Sequence, residues 1–304
     1  MITLKQVEAF YWVGTLGSFA AAADKINVAQ STVSKRIQEM ELSLGIDLFD
    51  RDMRSGRLTL KGTEILGLSE RMLRLRSRFA DAAKNEEALS GTLRMGITEF
   101  VAITVLPDLV TAIKDKYPLL VIEPVVDLVG GLYKRLEEQS LDLVIGPRIL
   151  KDDRFTITLL QKVEQSWMCR PDLIPGNEVI PLQRLKDNTL LLQSGGSALQ
   201  SMINRLLDEN GVRPKSVISC NGMMALAEMA AAGLGITCLP RSFFQAEVTA
   251  GRLRVVETDP SVPSLLFAIA ARRDAVGNLG ATISSLIAPL CDFSGQIRKS
   301  RATA

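Results

Sequence analysis

The stretch INVAQSTVSKRIQEMELSLGIDLFDR, residues 26–51, admits few folds. Val33, Ile37, Met40 and Leu44 recur at alternating spacings of four and three, which places them on one stripe of a helix. Gly45 follows where a left-handed residue would end that helix. A helix this short needs neighbours to cover its stripe, and two candidates precede it. Thr3 and Gln6 form a capping-box pattern, and Val7, Phe10, Tyr11 and Gly14 keep helical spacing, so a first helix is expected over about 4–14. Gly17-Ser18 closes that element and caps the next, in which Phe19, Ala22, Ala23 and Ile26 share a face until Asn27 breaks the run.

The polar side of the third helix is unusual. Ser31, Lys35 and Gln38 lie opposite Val33, with Thr32, Ser34 and Arg36 beside them, and no carboxylate occurs between Lys25 and Gln38. One reading is an ordinary solvated face. The other is a surface for the DNA major groove, because phosphates favour cations and helix N-termini while base edges favour short polar groups. Two Ala-rich helices joined by a tight turn favour the second reading. Next, LFDRDMRSGRLTLKG reads as a two-stranded wing with a basic tip at Arg54-Ser-Gly-Arg57. The net charge of +2 is too small to indicate nucleic-acid binding, but its distribution is uneven. Between Arg51 and Arg78 there are eight Arg or Lys against Asp52, Glu64 and Glu70.

From Thr59, a candidate N-cap, the pattern is helical to about Ala88. Ile65, Leu68, Met72, Leu75, Phe79, Ala82, Glu86 and Leu89 alternate by three and four as a heptad seam. Such a seam packs either on the chain's own body or on a second copy. The second option would pair two reading heads on two half-sites.

Beyond Gly91 the period changes. TLRMGIT, LLVIEPVVD and LDLVIG read as strands separated by the helices VLPDLVTAIKDKYP and LYKRLEEQ, and the same alternation returns from TLLLQ to ITCLP. SLLFAIAA reads as a late strand and residues 277–293 as a closing helix. Short links between strands and helices imply mostly parallel sheets, arranged as two α/β lobes with crossovers near 161 and 268 and a cleft at their hinge. The expected domains are therefore 1–60, 61–90 as a linker helix, and 91–304, with lobe I about 92–161 and 268–304 and lobe II about 162–268.

Catalysis and metals are poorly supplied. The chain of 304 residues contains no histidine, and its four cysteines, Cys169, Cys220, Cys238 and Cys291, lie far apart with no C-x-x-C pair. No metal, no cofactor and no enzymatic role are expected, since a His-based mechanism, a Gly-rich phosphate loop and a nucleophile elbow are all missing. Apolar runs such as Ala225–Leu239 are interrupted by Glu228, Gly233 and Gly235, and no signal-peptide pattern opens the chain. A cytoplasmic protein without a membrane partner is expected.

The segment FYWVGTLGSFAAAADKINVAQSTVSKRIQEMELSLGIDLFDRDMRSGRLTLKG resembles the winged helix-turn-helix of the LysR-type transcriptional regulators. It carries the S-x-x-x-A-A, Q-x-x-V-S-x-x-I, E-x-x-L-G-x-x-L-F-x-R and L-T-x-x-G runs in order. GTLRMGIT, LPDLVTAIKDKYPLLVIE, LDLVIG and AAAGLGITCLP are similar to that family's effector domain, which has the fold of type 2 periplasmic binding proteins. The resemblance implies a winged helix-turn-helix followed by a two-lobed α/β domain, and a sequence-specific regulator whose heads are tuned by a small molecule. One departure is Ala29-Gln30-Ser31, where the family often has Ser then Gln-Pro, so Ser31 is expected to act as the cap. Groove contacts are assigned to Gln30, Ser31, Ser34 and Lys35, and phosphate or minor-groove contacts to Ser18, Arg36, Arg51 and Arg54.

By position, the family's effector pocket maps to Thr98, Glu99, Phe100, Val129, Arg148, Gln193, Ser194, Cys220 and Asn221. These are strand ends leading into helix starts, where free N–H groups favour a carboxylate, and Arg148 is a candidate bidentate partner. A surface ion pair is the alternative for Arg148, and simple capping for Thr98 or Ser194. Glu99 points the other way, toward a ligand with an amine or hydroxyl. A thiol switch at Cys220 lacks a suitably spaced second cysteine. Implied partners are a pseudo-palindromic double-stranded operator, further copies of the chain as homodimer or homotetramer, and RNA polymerase. Rival readings are a metabolite-binding transport component, an α/β enzyme and a non-specific architectural DNA binder.

Overall fold

The computed structural model describes residues 1–50, 56–82, 91–149, 153–273 and 279–293. The chain divides into two compact units, Met1–Glu87 and Ala88–Ala304, each built on its own core. The first contains α1 (Leu4–Leu16), α2 (Phe19–Lys25), α3 (Gln30–Leu44) and α4 (Leu60–Ala82). Both halves of the capping box form, with the Gln6 N–H donating to Thr3 Oγ1 and the Thr3 N–H to Gln6 Oε1. The helix continues past Gly14 because that glycine is a packing point inside it, where a Cβ would stand 2.7 Å from Leu66 Cδ1. It stops at Gly17, whose φ of 65° is left-handed.

Val7, Phe10 and Val13 of α1, Phe19 of α2, and Val33, Ile37 and Met40 of α3 are buried together with Leu48 and Phe49. The Phe49 ring lies 5.5 Å from those of both Phe10 and Phe19, so the segment after α3 locks the three helices. The wing is represented by one antiparallel bridge, Phe49 to Leu58, flanked by Asp50 N–H to the Arg57 carbonyl (2.9 Å) and Thr59 N–H to the Leu48 carbonyl (3.0 Å). Thr59 also caps α4, since its Oγ1 accepts from the Gly62 N–H at 2.9 Å. Ile65, Leu66 and Leu73 turn into the core. Leu68, Met72, Leu75 and Phe79 form an exposed stripe on this chain, with Phe79 79% exposed. Ile65, expected in that stripe, instead serves the core; the Ala82 side chain, Glu86 and Leu89 lie outside the described residues.

The second unit runs β1 (Gly91–Ile97), α5 (Glu99–Thr104), α6 (Leu106–Lys116), β2 (Leu120–Val126), α7 (Val129–Glu137), β3 (Leu143–Pro147), β4 (Phe155–Val163) and β5 (Gln165–Cys169). It continues with β6 (Ile180–Pro181), β7 (Thr189–Gln193), α8 (Ala198–Glu209), β8 (Ser216–Cys220), α9 (Met223–Ala231), β9 (Ile236–Pro240) and α10 (Gln245–Thr249). β10 (Arg254–Val256), β11 (Thr258–Asp259), β12 (Leu265–Arg272) and α11 (Leu279–Ile287) complete it. Two five-stranded sheets result, ordered β2-β1-β3-β12-β4 and β10-β5-β9-β7-β8.

The sheets are mixed rather than mostly parallel. In the first, β1 runs parallel to β2 and β3, while β12 is antiparallel to β3 and β4. In the second, β7 runs parallel to β8 and β9, while β5 is antiparallel to β9 and β10. The antiparallel pairs arise because the chain switches lobes twice and enters each sheet from the opposite end. It leaves the first sheet at Glu164 and returns between Asp259 and Leu265, so the expected return at 268 falls inside β12. The closing helix is shorter than expected: α11 ends at Ile287 and a 3₁₀ turn covers Ala288–Leu290.

Candidate functional site

Two places collect the residues singled out from sequence. The first is the N-terminal half of α3. With Val33, Ile37 and Met40 buried, the helix presents Gln30, Ser31 and Lys35 to solvent and keeps Ser34 and Arg36 half-buried. None of these five side chains has a hydrogen-bond or ion-pair partner among the described residues, so Lys35 and Arg36 are cations available to an external anion. The acids further along α3 are otherwise engaged: Glu39 accepts from Gln6 Nε2 (3.0 Å), and Glu41 Oε1 accepts from the Leu48 and Phe49 N–H groups (2.7 and 3.2 Å).

Ser31 does not cap the helix. Ala29 is the N-cap, in extended conformation and without a side-chain acceptor, because the helix already begins at Gln30 and puts Ser31 inside its first turn. The leading N–H groups of α3 therefore meet no side-chain cap, which is the arrangement that attracts phosphate. Ser18 is the N-cap of α2, its Oγ accepting from the Ala21 N–H at 3.3 Å. Arg51 and Arg54 lie outside the described residues.

The second place is a cavity of about 340 Å³ between the two sheets of the second unit. Thr98, Glu99, Phe100, Val129, Gln193 and Asn221 line it. Arg148, Ser194 and Cys220 do not. The Arg148 N–H donates to the Leu266 carbonyl (2.8 Å). Burial pushes the Tyr133 phenol up to about 12, and the Arg148 charge opposes that rise. Cys220 pairs with Gln193 across β7 and β8 and packs on the core. Burial raises the thiols of Cys169 (to about 11), Cys238 and Cys291 (to about 12), the opposite of what a reactive thiolate needs.

Other residues of the wall include Asp127 and Leu128 after β2, Gln165 opening β5, Ser197 and Ala198 at the start of α8, Met223 and Leu226 on α9, Cys238 to Pro240 on β9, and Leu265 and Phe267 on β12. Asp127 occupies the same strand-end position as the residues that were selected. Gln165 follows β4, whose mostly half-buried face reads ambiguously in sequence. Phe100 anchors the cavity floor, its ring 5.9, 5.6 and 5.4 Å from those of Phe243, Phe267 and Phe293.

The lobes are tied across the cavity by short polar links. The Glu99 carboxylate of α5 accepts from the Met223 and Met224 N–H groups that open α9. The Gly130 N–H in the first turn of α7 donates to the Gly196 carbonyl at 2.9 Å, and a Cβ on Gly130 would stand 3.0 Å from that oxygen. Among the described residues no cluster of three or more His, Cys, Asp or Glu is arranged to hold a metal, and no helix is long and apolar enough to cross a membrane.

Residues 4–63 match the family model described as bacterial regulatory helix-turn-helix protein, lysR family, and residues 86–282 match the LysR substrate binding domain. The HTH-type transcriptional regulator BbuR of Bordetella bronchiseptica is 28% identical over 261 residues, covering 81% of this chain and 77% of that protein. Among solved structures, a full-length OxyR variant from Pseudomonas aeruginosa is similar with TM-score 0.68 at 21% identity, covering 95% of this chain and 97% of the other. Full-length CbnR in complex with its target DNA is similar with TM-score 0.67 at 18% identity, covering 95% and 100%.

Proposed function

The chain belongs to the LysR family of bacterial transcriptional regulators, and from that premise we propose how its parts divide the work. It is a DNA-binding transcriptional regulator with an effector-binding domain, and its relatives are regulators and not enzymes. In our reading α3 enters the major groove, with Gln30, Ser31 and Ser34 at base edges and Lys35, Arg36 and the uncapped start of α3 on phosphates. Ser18, Arg51 and Arg54 reach the adjoining backbone or minor groove. The observation that carries this is the set of unpaired polar and cationic side chains on one face of α3, opposite a stripe buried in the helix-turn-helix core. The complex of CbnR with its target DNA supports it by likeness of fold.

The exposed stripe Leu68, Met72, Leu75 and Phe79 on α4 supports self-association through paired α4 helices. Two heads held that way would read a pseudo-palindromic operator, as a dimer or a tetramer, within the cytoplasm and within reach of RNA polymerase. The cavity of the second unit is the effector site. A small molecule that binds one closure of the lobes better than the other shifts the assembly by that difference in affinity.

Selection of duplexes from a random-sequence pool by the full-length protein tests the reading. We expect enrichment of one site with two related half-sites about one helical turn, or a multiple of it, apart. Recovery of sequences with no shared half-site would refute it.

A further inference from the structure

The nature of the ligand follows from what already faces the cavity, given the reading of that cavity as the effector site. Three of the four helix starts at its rim, those of α7, α8 and α9, are engaged by acceptors of the protein's own, while α5 has no side-chain cap at Thr98. Glu99 accepts from the first two N–H groups of α9, and Ser197 Oγ accepts from the Gln200 N–H of α8 at 3.3 Å. At α7 the Gly130 N–H is taken by the Gly196 carbonyl. Asp127 lies over the same turn, its Oδ2 3.0 Å from where a Cβ on Gly131 would stand. The anion places at α7, α8 and α9 are filled, and the uncapped start of α5 carries Glu99 in its first turn, whose charge opposes an anion there.

What remains is acceptor-rich and negative. Glu99 and Asp127 line the cavity, and among the described residues that line it there is neither Lys nor Arg. An independent sign is Gln165, which is 5% exposed in the cavity wall. Its Nε2 donates to the Val163 carbonyl at 3.3 Å, and its Oε1, like Thr98 Oγ1 in the same wall, is buried with no hydrogen-bond partner among the described residues. Buried acceptors are nearly always satisfied in folded proteins, so this oxygen calls for a donor brought by a ligand. A carboxylate cannot donate, and it would meet two like charges.

The geometry points to a small organic cation, a protonated amine on an apolar body, as the occupant of this cavity. Its N–H groups serve Gln165 Oε1 and the carboxylates of Asp127 and Glu99, and its body packs on Phe100, Leu226 and Phe267. The carboxylate expected from helix starts and Arg148 is replaced, because Glu99 takes the α9 start and Arg148 does not line the cavity.

Titration calorimetry and thermal shift of the full-length protein test this with matched sets: phenethylamine, phenethyl alcohol and phenylacetate, and butylamine, butanol and butyrate. We expect each amine to bind at least about tenfold tighter than its matched acid, because opposite and like charge in a partly desolvated site differ by that much or more. Asp127→Asn, at an exposed position, should weaken amine binding several-fold and leave the alcohol unchanged; Gln165→Met should weaken the amine as well. Acids that bind as well as amines, or no binding by any amine, overturn the cation. The underlying reading is judged separately by Ala198→Trp, which fills the cavity. Amine binding that survives this change overturns the cavity as the effector site, whereas an acid whose binding is lost with it overturns the cation alone.

Discussion

Removing Lys35 and Arg36 together should change how salt acts on DNA binding. Both side chains lie in the half of α3 where no acid pairs with them, while Glu39 is held by Gln6 and Glu41 by the wing. If each contacts one phosphate, each releases condensed counterions and contributes about 0.9 to the slope of log affinity against log salt. Across a fourfold rise from about 50 to about 200 mM salt, one such contact is worth roughly a factor of 3.5, and two are worth roughly twelve. Lys35→Ala with Arg36→Ala should therefore bind the selected duplex more weakly at low salt and lose roughly twelvefold less affinity over that range. Fluorescence anisotropy with labelled duplex at four or more salt concentrations measures the slope. Because the removed charges have no partner among the described residues, the melting curve should move little, within about 0.5 kcal/mol. A slope equal to that of the unmodified protein, with the fold intact, would refute the placement of both residues on phosphates.

Other consequences can be checked with simpler assays. Glu41→Ala leaves the Leu48 and Phe49 N–H groups without their acceptor and should destabilise the first unit by about 1–3 kcal/mol, read as faster amide exchange at those two positions, while Glu41→Gln retains an acceptor and most of the stability. Leu75→Glu with Phe79→Glu places two charges on the exposed stripe of α4, and sedimentation should show a shift toward monomer; an unchanged mass would rule out pairing through that stripe. The thiols of Cys169, Cys238 and Cys291 are raised on folding, so their share of stability is complete below the ordinary value of 9.0 and fades as pH climbs toward 11 and 12. At pH near 8, a maleimide should leave these three unmodified until denaturant is added.

What could be read from the sequence was local. Stripes such as Val33, Ile37 and Met40, the Thr3–Gln6 capping box, and the stops at Gly17 and Gly45 each depend on residues within a few positions of one another. They appear in the structure much as the spacing predicts. The spacing carries the first helix only to about Gly14, whereas α1 runs through that glycine, which lets Leu66 approach, and ends at Leu16 before Gly17. The start of α3 was misjudged for a related reason: a polar residue near the boundary suggested a cap, but the chain was already helical there.

The cavity was legible only in part because its properties come from residues far apart in the chain. Strand ends identified Thr98, Gln193 and Asn221. Nothing near Glu99 shows that its carboxylate caps a helix 124 positions later, and nothing near Arg148 shows that it stays out of the cavity wall. Gln165 on β5 and Phe267 on β12 follow the two lobe crossings and pair antiparallel with β9 and β3, and alternation of strands and helices does not reveal that pairing. Charge followed the same rule. The polar face of α3 is composed by neighbours, whereas the negative balance of the cavity comes from Glu99 and Asp127, which follow different strands of the first lobe.

The most direct measurement compares the affinity for the selected duplex with that for a scrambled duplex of equal length at one salt concentration. A protein that reads bases through α3 should prefer its site by at least about a thousandfold. Gln30→Ala with Ser34→Ala should erode that preference by roughly tenfold or more while leaving affinity for scrambled DNA nearly unchanged. Equal binding to both duplexes, or a double variant that keeps the full preference, would contradict the assignment of sequence reading to this helix.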